Sequence, residues 1–210
     1  MSFADQDIED HHHQGHLAMP SVLLLDVCGN PVKWAGVEEA AGHVATHRVA
    51  WSLGREESVL VLHGGMNAAS GEQSVLRVPT IIAIKGSEAY GRHLQLSQEL
   101  SARSNVMLFR RDRNVCAYCG EACDPKRLTR DHVVPRCMGG ADTWTNCVTA
   151  CRRCNAAKGS LPVERFRPLL YVPYVPCRSE SFILARRNIL ADQMEFLASK
   201  LPRHSRARLC

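Results

Sequence analysis

The stretch that decides the fold opens and closes with paired cysteines, Cys116-Ala-Tyr-Cys119 and Cys151-Arg-Arg-Cys154. Each Cys-x-x-Cys turn points two sulfur atoms at one spot, and two such turns supply the four thiolates that a structural zinc ion prefers. Because 31 residues separate the two pairs, the chain between them must form a substructure that leaves one turn and returns at the other. The spacing therefore predicts a structural zinc (Zn²⁺) site. Its ligands would be Cys116, Cys119, Cys151 and Cys154.

The distribution of cysteine along the chain favours a metal site over disulfides. Seven of the ten cysteines lie between residues 116 and 154. The first ten residues are acidic and lack the basic, apolar and small-residue order of a secretion signal, so we expect a reducing, cytoplasmic setting. Clustered thiols in such a setting are typical of metal ligands. Cys123, Cys137 and Cys147 have no paired spacing and are expected to be small buried or neutral residues, with Cys123 as a competing ligand.

The chain between the two cysteine pairs predicts a strand, a turn, a second strand and a helix. Leu128-Thr-Arg-Asp-His-Val-Val-Pro-Arg136 is strand-like, and Gly139-Gly140 begins a turn. The second cysteine pair then opens onto a short helix. Zinc would hold both ends of this unit, with an apparent binding free energy of roughly 10–16 kcal/mol if it behaves like zinc-finger peptides.

This segment resembles the HNH endonucleases, the ββα-metal nucleases. The resemblance covers about 105–165, and the whole chain is also similar to small stand-alone bacterial HNH proteins. The motifs that carry it are Cys116-x-x-Cys119, Asp131-His132-Val-Val-Pro135, Gly139-Gly140, Trp144-x-Asn146 and Cys151-x-x-Cys154-Asn155-x-x-Lys158-Gly159.

The resemblance implies a metal-dependent enzyme that hydrolyses DNA phosphodiester bonds and leaves a 5′-phosphate and a 3′-hydroxyl. By this resemblance His132 is the general base, and Asp131 and Asn155 hold one divalent ion. Asn146 would hold the His132 segment through backbone hydrogen bonds and so fix the tautomer of the ring. The family's last histidine is replaced here by Asn155, an oxygen ligand that favours Mg²⁺ or Mn²⁺.

Each of these residues also has a simpler structural interpretation. Asp131 alone could be a turn acceptor, His132 a buried core residue and Asn146 a helix cap. Their joint occurrence between two cysteine pairs favours a nuclease site. Basic side chains nearby are candidates for phosphate contacts, with simple solvation as the alternative. These are Arg130, Arg136, Arg152, Arg153 and Lys158.

The composition excludes several classes of protein. Of 210 residues, 45% are hydrophobic, which is enough to bury a core and excludes a wholly disordered chain. No run of about 18 apolar residues occurs, so neither a membrane span nor a membrane partner is predicted. The net charge is −6 over residues 1–102, +7 over 103–167 and +4 over 168–210. A basic second half favours contact with a polyanion, which by the resemblance is DNA.

We predict an α+β protein made of a flexible leader, a small mainly β accessory domain, a nuclease domain and a C-terminal segment. Their boundaries are 1–18, 19–99, 100–167 and 168–210. The accessory domain has strand-like runs near 22–27, 59–62 and 78–84 and a short helix over 36–46. Another helix is predicted over 100–112, and a single C-terminal helix over about 180–200 is followed by a basic tail.

Two other functions stay open on the sequence. One is a non-catalytic, zinc-dependent module that binds nucleic acid. The other is a partner-dependent component of a defence or mobile-element system, in which the acidic N-terminal region would bind a protein. That region could also form a homodimer.

Overall fold

The structure is a computed structural model that describes residues 20–86, 100, 105–186, 188–203 and 205–209. The predicted leader over 1–18 lies outside these ranges. Within them, five helices and three small sheets confirm the predicted α+β class. The same described residues include no helix with the length and apolar character needed to cross a bilayer.

Six strands and one helix form the N-terminal part. The predicted helix over 36–46 is confirmed as α1, Val37–Ala45. Pro79 lies between the last two strands, so the run predicted near 78–84 contributes the end of one strand and all of the next. The strands are β1 Val22–Leu25, β2 Pro31–Ala35, β3 Val49–Leu53, β4 Leu60–Met66, β5 Gln73–Val78 and β6 Ile81–Ile84.

Four of these strands form one sheet in the order β2-β1-β6-β3, with β1 parallel to β6 and antiparallel to β2, while β4 and β5 form a separate hairpin. All four residues of β1 are buried, because both faces of the sheet are covered. Val22 and Leu24 pack with Ala40 of α1 on one face. Leu23 and Leu25 face the opposite side, as the alternation of side chains along a strand requires.

The C-terminal segment covers that second face of the sheet. Leu197 packs in the cluster that contains Leu23 and Leu25. The side-chain amide of Gln193 donates to the carbonyl oxygens of Ser21 (2.7 Å) and Thr80 (2.9 Å). The helical segment that contains Gln193 and Leu197 is therefore packed on the N-terminal sheet.

The single helix predicted over about 180–200 is two helices, α4 Arg178–Ala185 and α5 Ala191–Ser199. Arg186 has extended backbone angles and ends α4. Gln193 then accepts a hydrogen bond from the Leu190 N–H at the start of α5. The apolar spacing of the sequence matched one continuous helix, but these tertiary and capping contacts favour two.

The nuclease-like part begins with α2, Asn105–Arg111, within the helix predicted over 100–112. Strands β7 Leu128–His132 and β8 Cys147–Cys151 then pair in antiparallel register, and α3, Arg152–Lys158, follows directly. A core that includes Leu108, Trp144 and Val148 joins α2 to the strand pair.

A buried arginine connects this core to the segment that follows it. The Arg111 side chain donates to the carbonyl oxygens of Trp144, Cys147 and Tyr174, and it pairs with Asp112 at 2.8 Å. Asp112 in turn accepts a hydrogen bond from the Thr149 N–H of β8. These bonds satisfy a charge that is otherwise costly to bury, and they fix α2 against β8.

Candidate metal and catalytic centre

The four predicted zinc ligands converge. The sulfur atoms of Cys116, Cys119, Cys151 and Cys154 all lie within 4.8 Å of one another, and those of Cys119 and Cys151 are 4.0 Å apart. Around a tetrahedral zinc with Zn–S bonds of about 2.3 Å, sulfur atoms lie about 3.8 Å apart. The four-cysteine cluster therefore fits zinc in both its chemistry and its size.

Local backbone geometry produces this convergence. Gly120, with a positive φ of 72°, closes the first turn, and its N–H donates to the Cys116 carbonyl at 3.0 Å. Cys151 ends β8 and caps α3, with its sulfur accepting from the Cys154 N–H at 3.4 Å. Cys123 is buried but lies outside the four-sulfur group, and its sulfur is 3.7 Å from the Glu121 carbonyl. Cys123 does not compete as a ligand in this arrangement.

The thiols of the cluster have unequal acidities. Burial opposes ionisation of Cys116, but hydrogen bonds from the backbone of Cys151, Cys119 and Tyr118 lower the pKa of its thiol to about 7. Burial, and then the neighbouring thiols, raise the pKa of Cys154. A bound cation would favour the ionised form of all four thiols, because it stabilises every thiolate at once.

Three of the predicted catalytic residues line one cavity of about 230 Å³ beside β7 and α3. Asp131 and His132 come from the end of β7, and Asn155 comes from α3. The structure thus brings Asp131, His132 and Asn155 together, and Arg130, Arg136, Cys137 and Lys158 line the same cavity.

Asp131 is buried, and both of its oxygens have partners inside the protein. Its Oδ1 lies 3.2 Å from the ammonium of Lys158, and its Oδ2 accepts a hydrogen bond from the Tyr118 hydroxyl. Burial, and then the bond to Asp131, raise the pKa of Tyr118, so this hydroxyl stays a donor. Lys158 is only 1% exposed and also donates to the His132 carbonyl at 2.7 Å.

His132 has a partner that the sequence analysis did not assign. Its Nε2 is 2.9 Å from Oδ1 of Asp142, and the Arg130 guanidinium contacts the same oxygen at 2.9 Å. The bond from Arg130 lowers the pKa of Asp142 against the opposing effect of burial, and the His132 contact lowers it further. No spacing rule pointed to Asp142, which comes from the loop between the two strands.

Asn146 holds the backbone of that loop. Its side-chain oxygen accepts from the Val134 N–H at 2.8 Å, and its amide donates to the carbonyls of Val134 (3.1 Å) and Ala141 (2.9 Å). Gly140 lies against the backbone of Val134: a Cβ built on Gly140 would be 1.7 Å from the Val134 carbonyl oxygen. These bonds agree with the backbone role expected of Asn146, but the atom that contacts the imidazole ring belongs to Asp142.

Asn155 is bound to β7 through its amide nitrogen. That nitrogen donates to the hydroxyl of Thr129 at 2.9 Å and to the carbonyl of Arg130 at 3.3 Å. The side-chain oxygen is therefore the atom of Asn155 that could serve as a metal ligand.

The five candidate phosphate-binding residues fall into two groups. Arg136 and Arg153 have side chains that are 73% and 79% exposed, and Arg152 is also exposed. Arg130 is 11% exposed and binds Asp142, while Lys158 is buried against Asp131. Only the first group presents charge at the surface.

Four convergent thiols beside a cavity lined by a histidine, a carboxylate and an amide agree with the resemblance to the HNH endonucleases. Residues 116–168 match the family model of the HNH endonucleases, so this part of the chain is an HNH domain. Over 84 residues the chain is 36% identical to a CRISPR-associated endonuclease Cas9 of Corynebacterium diphtheriae. That alignment covers 34% of this chain and 8% of the length of the relative.

Proposed function

We propose that this chain is a metal-dependent DNA endonuclease that hydrolyses phosphodiester bonds and leaves a 5′-phosphate and a 3′-hydroxyl. One observation carries the proposal: His132, Asp131 and Asn155 line a single cavity next to the four-cysteine cluster. The family match of residues 116–168 and the name of the similar Cas9, an endonuclease, support the reaction class.

In this proposal His132 is the general base. A neutral imidazole takes a proton from water near neutral pH, which makes the water a nucleophile toward the phosphorus atom. Positioned acid–base groups of this kind contribute typically about 10²–10⁴-fold to a rate. The hydrogen bond from Lys158 to the His132 carbonyl supports a fixed backbone at the base.

Asp131 and Asn155 would hold one Mg²⁺ or Mn²⁺ ion through oxygen atoms, which such hard cations prefer. When bound, that ion would stabilise the negative charge that develops on the phosphate and the leaving oxygen. Each carboxylate oxygen of Asp131 has a second lone pair beside its bond to Lys158 or Tyr118, so oxygen donors are present. Because the Lys158 ammonium is 3.2 Å from Oδ1, the ion would have to displace it or bind against its repulsion. A zinc ion on the four thiols would be structural.

The DNA backbone would be held by the exposed arginines of the domain. Arg136 lines the cavity, whereas Arg152 and Arg153 line a neighbouring cavity of about 320 Å³ at the start of α3. Phosphate contacts of this kind give binding that weakens as salt rises and carry no sequence information directly. One such site cuts one strand at a time, so cleavage of both strands would need two protomers or two successive nicks.

The experiment is a plasmid-nicking assay of the full chain with Mg²⁺, with Mn²⁺ and with EDTA, on duplex, single-stranded and branched substrates. His132→Ala should abolish cleavage and leave the zinc content and the fold intact. His63→Ala, at an exposed position of the β4–β5 hairpin, is the matched control and should cut like the wild type. Cleavage by His132→Ala at the wild-type rate would refute the proposal.

The metal ligands are tested by titration. Asp131→Ala and Asn155→Ala should weaken the dependence on Mg²⁺ or Mn²⁺ or remove cleavage, whereas unchanged titration curves would count against both as ligands. A wild-type chain that binds DNA but shows no nicking under any of these conditions would instead indicate a non-catalytic nucleic-acid-binding module.

A further inference from the structure

The ring of His132, the general base of this proposal, contacts a carboxylate that none of the motif residues quoted above supplies. Nε2 of His132 is 2.9 Å from Oδ1 of Asp142, and the His132 side chain is 16% exposed. Asp142 stands ten residues along the chain, in the loop between β7 and β8. The contact is therefore a product of the fold of that loop and of the strand pair.

We propose that Asp142 is the positioning residue of the nuclease site: it holds the hydrogen of the neutral His132 ring on Nε2 and leaves the lone pair on Nδ1. This inference rests on the proposed role of His132 as the general base. An ionised carboxylate only accepts hydrogen bonds, so the ring nitrogen that faces it must carry the proton. The Nδ1 atom is then the base that takes a proton from water.

Four contacts hold Asp142 in place, two of them directly and two through Arg130. The Arg130 guanidinium donates to its Oδ1 at 2.9 Å. Arg130 is held in turn by the side-chain oxygen of Asn105 at 2.9 Å and by the Leu100 carbonyl at 3.3 Å. The Leu100 N–H donates to the backbone carbonyl of Asp142 at 2.7 Å. The carboxylate that orients the ring is thus itself fixed by Asn105 of α2 and by Leu100.

A metal ion at the same place is the competing explanation. The ligand atoms of His132, Asp142 and Cys147 lie within 4.8 Å of one another. A cation there would meet the guanidinium of Arg130, which already lies on Asp142 Oδ1. The geometry therefore favours an orienting hydrogen bond.

Asp142 and Asn146 have different roles in the loop between β7 and β8. Asn146 binds the backbone at Val134 and Ala141 and so sets the shape of the loop. Asp142 binds the ring itself. A carboxylate that orients a catalytic histidine can be worth up to about 10⁴-fold in turnover, because the wrong tautomer presents a hydrogen to the water in place of a lone pair.

The test combines nitrogen NMR of the His132 ring with cleavage kinetics on the zinc-loaded full chain. Spectra are recorded at a pH where the ring is neutral, and the His132 signals are identified by their absence in His132→Gln. We expect a protonated Nε2 and an unprotonated Nδ1. Asp142→Asn should mix the two tautomers and lower kcat on the order of 10²–10⁴-fold with KM for DNA unchanged. Asp124→Asn, at an exposed carboxylate, is the matched control and should change neither quantity.

Several results would overturn the inference while leaving the proposed function standing. They are a wild-type ring protonated on Nδ1, an Asp142→Asn variant with normal kcat, a loss of kcat without a change in the ring signals, and a loss confined to KM. If Asp142→Asn does not fold, the spectrum of the wild type still shows which ring nitrogen of His132 carries the proton, and so tests the inference. Cleavage by His132→Ala would refute the proposed function, whereas the ring signals would still test the contact itself.

Discussion

The four-cysteine cluster and the cavity lined by Asp131, His132 and Asn155 are two polar sites of the HNH domain, and their side chains are held in opposite ways. In the cluster, the four sulfur atoms contact one another and nearby backbone N–H groups. In the cavity, the side chain of Asp131 is bound by Lys158 and that of His132 by Asp142.

The difference indicates what each site requires from outside the protein. Converging thiolates repel one another unless a cation neutralises them, so we expect the stability of the cluster to depend on a bound zinc ion. The cavity already balances its charges with internal partners, so contacts within the protein hold the side chains of Asp131 and His132 in place. Four changes would test this contrast.

The largest effect is expected for Cys151→Ser, which removes a thiolate from the cluster. We expect loss of most of the bound zinc and a decrease of more than about 5 kcal/mol in the free energy of unfolding, in the range typical of losing a structural metal. Metal analysis and denaturant unfolding measure both. Cys137→Ser, at an exposed cysteine, should change stability by less than about 0.5 kcal/mol. A zinc-loaded, fully stable Cys151→Ser protein would contradict the contrast.

Lys158→Met should come next, because it leaves the buried Asp131 carboxylate without its cation. Breaking a buried pair in this way costs about 3–5 kcal/mol. The double change Asp131→Asn with Lys158→Met should recover part of that loss, as measured by urea unfolding of the wild type, the single variant and the double variant. Lys126→Met, at an exposed lysine, is the control. Equal losses in the single and double variants would show that the pair is not the source of the effect.

A smaller loss is expected for Gly140→Ala, whose Cβ would overlap the Val134 carbonyl oxygen. We expect the free energy of unfolding to fall by about 3 kcal/mol, at the upper end of overpacking costs. Cleavage should also be reduced, because the loop that contains Val134 directly follows His132. Gly139→Ala is the matched control: it has open space but a φ of +85°, and should cost about 1–2 kcal/mol. A lower melting temperature for Gly139→Ala than for Gly140→Ala would argue against close packing of this loop.

The smallest effect on stability is expected for Arg153→Gln, at a side chain that is 79% exposed. The free energy of unfolding should change by less than about 0.5 kcal/mol. DNA binding should weaken, with the slope of log K against log salt reduced by about 0.9 if one phosphate contact is lost. Arg77→Gln, on the exposed side of β5, removes the same charge and should leave that slope unchanged.

Much of the local structure could be predicted from the sequence. The four thiols converge as expected, because each Cys-x-x-Cys turn is set by a few neighbouring residues. Helix α1 and strands β1, β4 and β6 were predicted in the same way. The break between α4 and α5 was missed, since the apolar spacing of a continuous helix is preserved across Arg186.

The sequence by itself determined that the four thiols converge and that residues 116–168 resemble the HNH endonucleases, and it predicted that Asp131, His132 and Asn155 lie together. Only the tertiary structure decided which partners the side chains of Asp131 and His132 have. Asp131 and His132 are neighbours on one strand, yet one binds Lys158 of α3 and the other binds Asp142 of the loop. Successive side chains of a strand point to opposite sides, and the residues they meet are brought there by parts of the chain distant in sequence.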